Sequence, residues 1–133
     1  MMGFNSLIPE LSVSDIVKTR HFYIDVLRFK LEYERQEDEF IFLSYGNAQI
    51  MFEEIHEMGW NTAGFEYPLG RGINFQIETD ELYEIKSRLE KADIPLFIDI
   101  RVNKYSNGNE IYKKNELLVQ DLDGYLLRFS QVI

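Results

Sequence analysis

Few residues in this chain have chemistry beyond what folding requires. Its two histidines are His21 and His56, the adjacent carboxylates Glu53 and Glu54 lie in a strand-like run, and Arg128 is a lone charge after the apolar residues Tyr125, Leu126 and Leu127. A histidine beside a carboxylate is the usual material of a general base. His21, however, stands next to Phe22 and Tyr23 in a helical pattern, where a surface or half-buried imidazole is the simpler expectation. His56 falls in a loop and could reach a ligand if that loop folds over a site. Glu53 and Glu54 point to opposite faces of a strand, so only one of them can face inward, as a rim carboxylate or a general acid. Ser12, Ser44 and Ser130 have no histidine placed to activate them, and PLGRG lacks the strand and lysine context of a phosphate loop. With no cysteine, thiolate catalysis, disulfides and cysteine-ligated metal centres are excluded.

These residues need a frame to position them, and 133 residues suffice for one ordinary domain. A composition of 45% hydrophobic and 28% charged residues places the chain among soluble globular proteins. No apolar run reaches the 18 to 20 or so residues that a membrane span needs, and the opening MMGFNSLIPE has no signal-peptide pattern. A cytoplasmic protein is therefore expected. The formal charge of −9 disfavours nucleic acid and anionic membrane as partners and would suit a cationic ligand.

The apolar pattern repeats along the chain. A strand over Ile8–Val13 leads to a helix from Asp15 to Leu27, with Ser14 and Asp15 as N-caps, and strands follow over Phe29–Glu34, Phe40–Tyr45 and Ala48–Glu54. A polar linker runs from 55 to 70. Then come a strand over Ile73–Ile77, a helix capped by Thr79 and Asp80 with Leu82, Ile85 and Leu89 on one face, and strands over Pro95–Val102, Glu110–Gln120 and Tyr125–Ser130. Asp121, Leu122, Asp123 and Gly124 turn the last two strands into a hairpin. Residues 7–54 and 71–131 are thus two βαβββ modules of one α+β domain. Each is too small to bury both a helix face and a sheet face, so two four-stranded mixed sheets curving around a shared cleft, with helices outside, are expected.

This order, with LSVSDIVKTRHFYIDVLRFKLEYE near the start and LLVQDLDGYLLRF at the end, resembles the vicinal oxygen chelate superfamily of glyoxalases, extradiol dioxygenases and bleomycin resistance proteins. PLGRGINFQIE and QDLDGYLLRF are most similar to the bleomycin resistance branch. The resemblance implies four places where the superfamily's enzymes hold a metal, and here they carry Ile8, Met51, Gly72 and Arg128. Isoleucine and glycine offer no donor, methionine prefers soft ions, and arginine is a permanent cation. No metal, cofactor or catalytic residue is therefore assigned. A slip of the alignment would bring Glu10 or Glu53 into the cleft, still without a histidine beside them.

Without a metal, the resemblance implies antibiotic resistance by sequestration: a small-molecule binding protein that holds its ligand unmodified at a homodimer interface. The ligand would be bleomycin-like or another amphipathic aromatic compound. Phe40 and Glu116 match cleft positions of such proteins, and Pro9 matches the place where an N-terminal strand crosses to the partner subunit. The expected ligand-binding residues are Phe40, Phe42, Met51, Glu53, Trp60, Asn74, Tyr112, Glu116 and Arg128. Core packing is an equal alternative for Phe40 and Phe42, and Trp60 has either a platform or a packing role. Arg128, with Asn74 and Gln76, favours an anionic ligand over a cationic drug. Two other readings stand beside this one: a glyoxalase- or dioxygenase-like enzyme with an unorthodox or absent metal site, and an interaction module with no pocket.

Overall fold

Alternation of apolar and polar residues along short runs gives strands that bury one face. In this chain two separate sets of four strands do so. The computed structural model describes residues 3–133. Of these, residues 3–69 and 70–133 form two compact units.

In the first unit, β1 (Glu10–Val13), β2 (Lys30–Arg35), β3 (Phe40–Tyr45) and β4 (Ala48–Glu54) lie in the order β1-β4-β3-β2. β1 is parallel to β4 and the other pairings are antiparallel. Strand β1 starts two residues later than the sequence suggested, because Pro9 has no N–H to give; its carbonyl still accepts from Met51 N at 2.9 Å. The helix expected over 15–27 is present in two geometries, α1 (Ile16–Arg20) followed by a π-helical stretch at His21–Val26. Asp15 caps it as expected, its side chain accepting from Lys18 N at 3.0 Å. Phe22, Tyr23 and Val26 are buried, and the Tyr23 ring lies 4.4 Å from that of Phe52. Ile41 and Phe52 are cross-strand partners, as are Leu11 and Phe52, so these residues form the helix-covered face of the sheet.

The second unit repeats the plan. β5 (Asn74–Glu78), β6 (Ile98–Ser106), β7 (Ile111–Gln120) and β8 (Leu126–Val132) lie in the order β5-β8-β7-β6, with β5 parallel to β8. Leu82, Ile85 and Leu89 of α2 (Leu82–Lys91) are fully buried, as are Leu117, Val119, Leu127 and Phe129 of β7 and β8. Thr79 and Asp80 are not the caps of α2. Its first residue is held from outside: Gln131 Oε1 accepts from Leu82 N at 3.1 Å, while Thr79 Oγ1 accepts from Glu81 N at 2.9 Å. β6 begins three residues later than expected and runs four residues further, to Ser106. A bulge lies between Ile98 and Arg101, and the pairing then continues to Tyr105 opposite Tyr112.

The hairpin turn holds as read. Asp121 is buried and its Oδ1 accepts from Asp123 N at 3.0 Å and Tyr125 N at 2.9 Å. Gly70, at φ +72, passes so close to Tyr125 that a Cβ there would sit 2.5 Å from the ring. No helix of the described residues is long and apolar enough to cross a membrane.

Phe129 packs at the centre of the second unit with no exposed surface. Its replacement by alanine is expected to cost about 3–5 kcal/mol in denaturant unfolding. A loss below about 1 kcal/mol would show that this core is not the one that holds the unit together.

Candidate functional site

In both units the helix covers one sheet face, and the residues with chemistry collect on the other. Cross-strand partners point to the same side, so the register fixes which these are. In the first unit the helix-free face carries Glu10 and Ser12 from β1, Met51 and Glu53 from β4, Phe40 and Phe42 from β3, and Tyr33 and Arg35 from β2. Phe40 and Phe42 are only 2% and 1% exposed. Tyr33 stacks on Phe42 with ring centroids 5.2 Å apart, Phe4 meets it edge-on at 5.5 Å, and the Arg35 guanidinium lies 3.9 Å over the Phe40 ring. Any ligand on this face therefore meets Tyr33 and Arg35 before either phenylalanine.

Carboxylates gather at one end of that face. Burial, then the neighbouring charge of Glu53, hold the Glu10 carboxyl above its ordinary range, with Arg35 pulling the other way. Glu53 Oε1 is hydrogen-bonded to His56 Nε2, and His56 Nδ1 accepts from Met58 N at 3.2 Å. Since Nδ1 accepts, the ring hydrogen of neutral His56 is on Nε2 and points at Glu53. Glu53 and His56, with Glu37, Asp38, Glu39 and Glu54, line a cavity of about 330 Å³. Even so, among the described residues no three histidines, aspartates or glutamates are grouped to hold a metal ion.

The second unit's helix-free face is of opposite character. Asn74, Gln76 and Glu78 of β5 are exposed along it, Gln76 pairs with Arg128 of β8, and Arg128 pairs with Leu118 of β7. Glu116 is two residues from Leu118, opposite Ser130 on one side and Arg101 on the other. Its carboxylate has no exposed surface. Oε1 accepts from Asn103 Nδ2 at 2.9 Å and from the Tyr105 hydroxyl, and Oε2 lies 3.9 Å from Arg128 Nε. Arg128 donates through Nη1 to the Tyr105 hydroxyl at 3.3 Å. Burial disfavours the charged carboxylate, but the hydrogen bonds from Tyr105 and Asn103, aided by Ser130 and the Arg128 charge, outweigh it and hold Glu116 below the ordinary carboxylate range. The same contact drives the Tyr105 hydroxyl the other way, since a phenolate beside Glu116 would repel it.

Most of the residues expected at the site thus fall on these two faces: Phe40, Phe42, Met51 and Glu53 on the first, Asn74, Tyr112, Glu116 and Arg128 on the second. Trp60 is on neither; it stands 92% exposed between the sheets in sequence, beside the equally exposed Met58. Asn103 was not expected at the site, and Tyr105 was one of several aromatics that could face it but was not assigned to it. Their two-residue spacing on one strand face was the available signal, hidden because β6 was expected to end at Val102.

Among solved structures, a glyoxalase/bleomycin resistance protein/dioxygenase superfamily member from Vibrio splendidus is 32% identical over 93% of this chain and 95% of its own. The TM-score of that pair is 0.43. A virulence protein from Salmonella typhimurium, 22% identical over the whole of both chains, has a TM-score of 0.71. A glyoxalase/bleomycin resistance protein/dioxygenase from Alicyclobacillus acidocaldarius, 18% identical over 97% of this chain and 92% of its own, has 0.67, and these two share the fold. No protein-family model and no curated protein matches the chain.

Because Glu116 titrates lower in the folded state, its ionised form contributes stability that is complete above the unfolded carboxylate pKa of about 4.3 and is lost as pH falls through the lower folded value. Tyr105→Phe removes a donor and raises the folded pKa toward the unfolded one, so unfolding curves at stepped pH should show a smaller acid loss that is complete at higher pH. At neutral pH the same change should cost about 1–3 kcal/mol. An acid limb identical to that of the unsubstituted chain would mean that Tyr105 does not hold the carboxylate.

Proposed function

We propose that this chain, which belongs to the glyoxalase/bleomycin resistance protein/dioxygenase superfamily, is a metal-independent binding protein of the bleomycin resistance type that holds a small molecule without changing it. The observation that carries the reading is Arg128. It stands where the resemblance places a metal-ligating carboxylate, and it is engaged with Tyr105 and Glu116. Met51, at the corresponding place in the first unit, lies beside Glu10 and opposite Phe42. A thioether and a guanidinium are a poor set for a hard or borderline divalent ion, so the donors present do not fit the superfamily's metal.

The helix-free faces supply what such a protein needs instead: flat aromatic surface at Tyr33, polar groups at Asn74 and Gln76, and charges of both signs. An amphipathic aromatic compound is the ligand class that this surface suits. We place the protein as a homodimer and its role in antibiotic resistance by sequestration. The exposed Met58, Trp60 and Tyr67 are apolar surface of the kind that a partner subunit or a ligand covers. One observation favours an enzyme instead, the hydrogen-bonded Glu53 and His56 at the acidic cavity.

A thermal-shift screen against bleomycin-type drugs and amphipathic aromatic compounds, paired with elemental analysis, tests the proposal. A saturating ligand at about a hundred times its Kd adds about 2.7 kcal/mol, which should read as a rise of several degrees, with metal content well below one ion per chain. A tightly held nickel, zinc, iron or manganese ion in each chain, or turnover of methylglyoxal hemithioacetal or a catechol, would overturn it. A monomer by light scattering at micromolar concentration would remove the dimer.

A further inference from the structure

Two charged groups on the second unit's helix-free face have opposite signs, and only one of them is available to a ligand. Glu116, the carboxylate best matched to a cationic guest, has no exposed surface and spends Oε1 on Tyr105 and Asn103. A cation would have to break that arrangement to reach it. Arg128 lies beside it with its side chain 26% exposed, and of its five N–H donors the Tyr105 hydroxyl takes one on Nη1, while Nε is buried and without a hydrogen-bond partner. Glu116 does not satisfy that Nε, since 3.9 Å is beyond hydrogen-bond reach. The guanidinium is therefore held in place from below with donors still unspent.

Its surroundings carry one exposed carboxylate, Glu78, against several neutral and positive groups. Gln76 is the direct neighbour of Arg128 across β5, exposed and able to donate from its amide, with Asn74 two residues along the same face. Arg101 and Lys114 share the face from β6 and β7. The charge of −9 belongs to the whole chain, but at physiological salt a charge more than about 8 Å away is largely screened. A ligand on this face therefore meets the local charges, in which Arg128, Arg101 and Lys114 outnumber Glu78 and the buried Glu116, rather than the total.

We propose that this face is an oxyanion subsite, with Arg128 as the receptor for a carboxylate or phosphate on the bound molecule and Gln76 as its neutral second donor. The proposal rests on the reading of the protein as a small-molecule binder and names the charge of its ligand. The planar fork of Arg128 matches the two oxygens of such a group. Glu116 and Tyr105 position the fork and do not touch the ligand.

Benzoate, phenyl phosphate and benzylamine are three probes of similar size that separate the cases. Titrated into 15N-labelled protein, benzoate or phenyl phosphate should shift the Arg128 Nε–Hε resonance and the Gln76 side-chain amide, and benzylamine should not. Whichever anion binds more tightly identifies the carboxylate or phosphate source. R128K keeps a positive charge over Glu116 and so keeps the fold even if R128Q does not; it should weaken the anion at least tenfold. Benzylamine shifting these resonances while the anions do not would overturn the oxyanion assignment and leave the binding reading standing. Anion binding that R128K leaves unchanged would also overturn it. No shift by any probe at residues 74–78 or 126–130, together with a negative ligand screen, would sink both.

Discussion

A carboxylate with no exposed surface must be neutralised where it stands, and Glu116 imposes that requirement on the second unit. Three strands answer it. β6 supplies Asn103 and Tyr105, β8 supplies Arg128 and Ser130, and β7 carries the acid itself. Each of these residues also fixes register, because a slip of one position would turn it to the helix-covered face and leave the carboxylate unanswered among Leu117, Phe129 and Leu127. The polar network is thus a constraint on pairing as well as a feature of the site. It accounts for β6 extending to Tyr105, past the point where its apolar pattern fades.

The first unit solves the same geometric problem with aromatic rings. Its helix-free face has Phe40 and Phe42 at positions where the second unit places polar groups, and it covers them with Tyr33, Phe4 and Arg35. The carboxylates are displaced to the strand ends, where Glu53 meets His56 and where burial, with the Glu53 charge second, holds Glu10 above its ordinary range. One plan, βαβββ, therefore presents two surfaces of different chemistry. The helix-covered faces, by contrast, differ little in kind: Leu11, Ile41 and Phe52 in one, Leu117, Leu127 and Phe129 in the other. Function has room to diverge only where the helix does not pack.

That division also governs what could be read from the sequence. Apolar alternation and turn residues were enough to locate all eight strands, both helices and the Asp121–Gly124 turn, because burial against a helix writes a pattern into the chain. Capping was legible at Asp15, whose partner Lys18 is three residues away, and illegible at α2, whose first N–H is taken by Gln131 forty-nine residues on. The helix-free faces were only partly legible. Phe40 and Phe42 could be placed on one face but not under Tyr33 and Arg35, since stacking across β2 depends on a bulge between Leu31 and Tyr33. Asn103 and Tyr105 acquire meaning only once they are set opposite Lys114 and Tyr112, with Glu116 one step away.

Arg128 shows how a single position connects these levels. From the sequence it is a charge that breaks an apolar run; in the sheet it is one cross-strand step from Gln76 and diagonal to Glu116. An arginine at this position would by itself leave an uncompensated cation on a strand. Glu116 supplies the compensation from beneath without using Arg128's remaining donors. Charge balance is thereby met below the face while part of the guanidinium's hydrogen-bonding capacity stays unspent. A site built to hold a metal would concentrate negative charge toward the ligand, whereas this one buries the negative charge and turns the positive group outward. That inversion is why an oxyanion, and not a divalent cation, matches the second sheet.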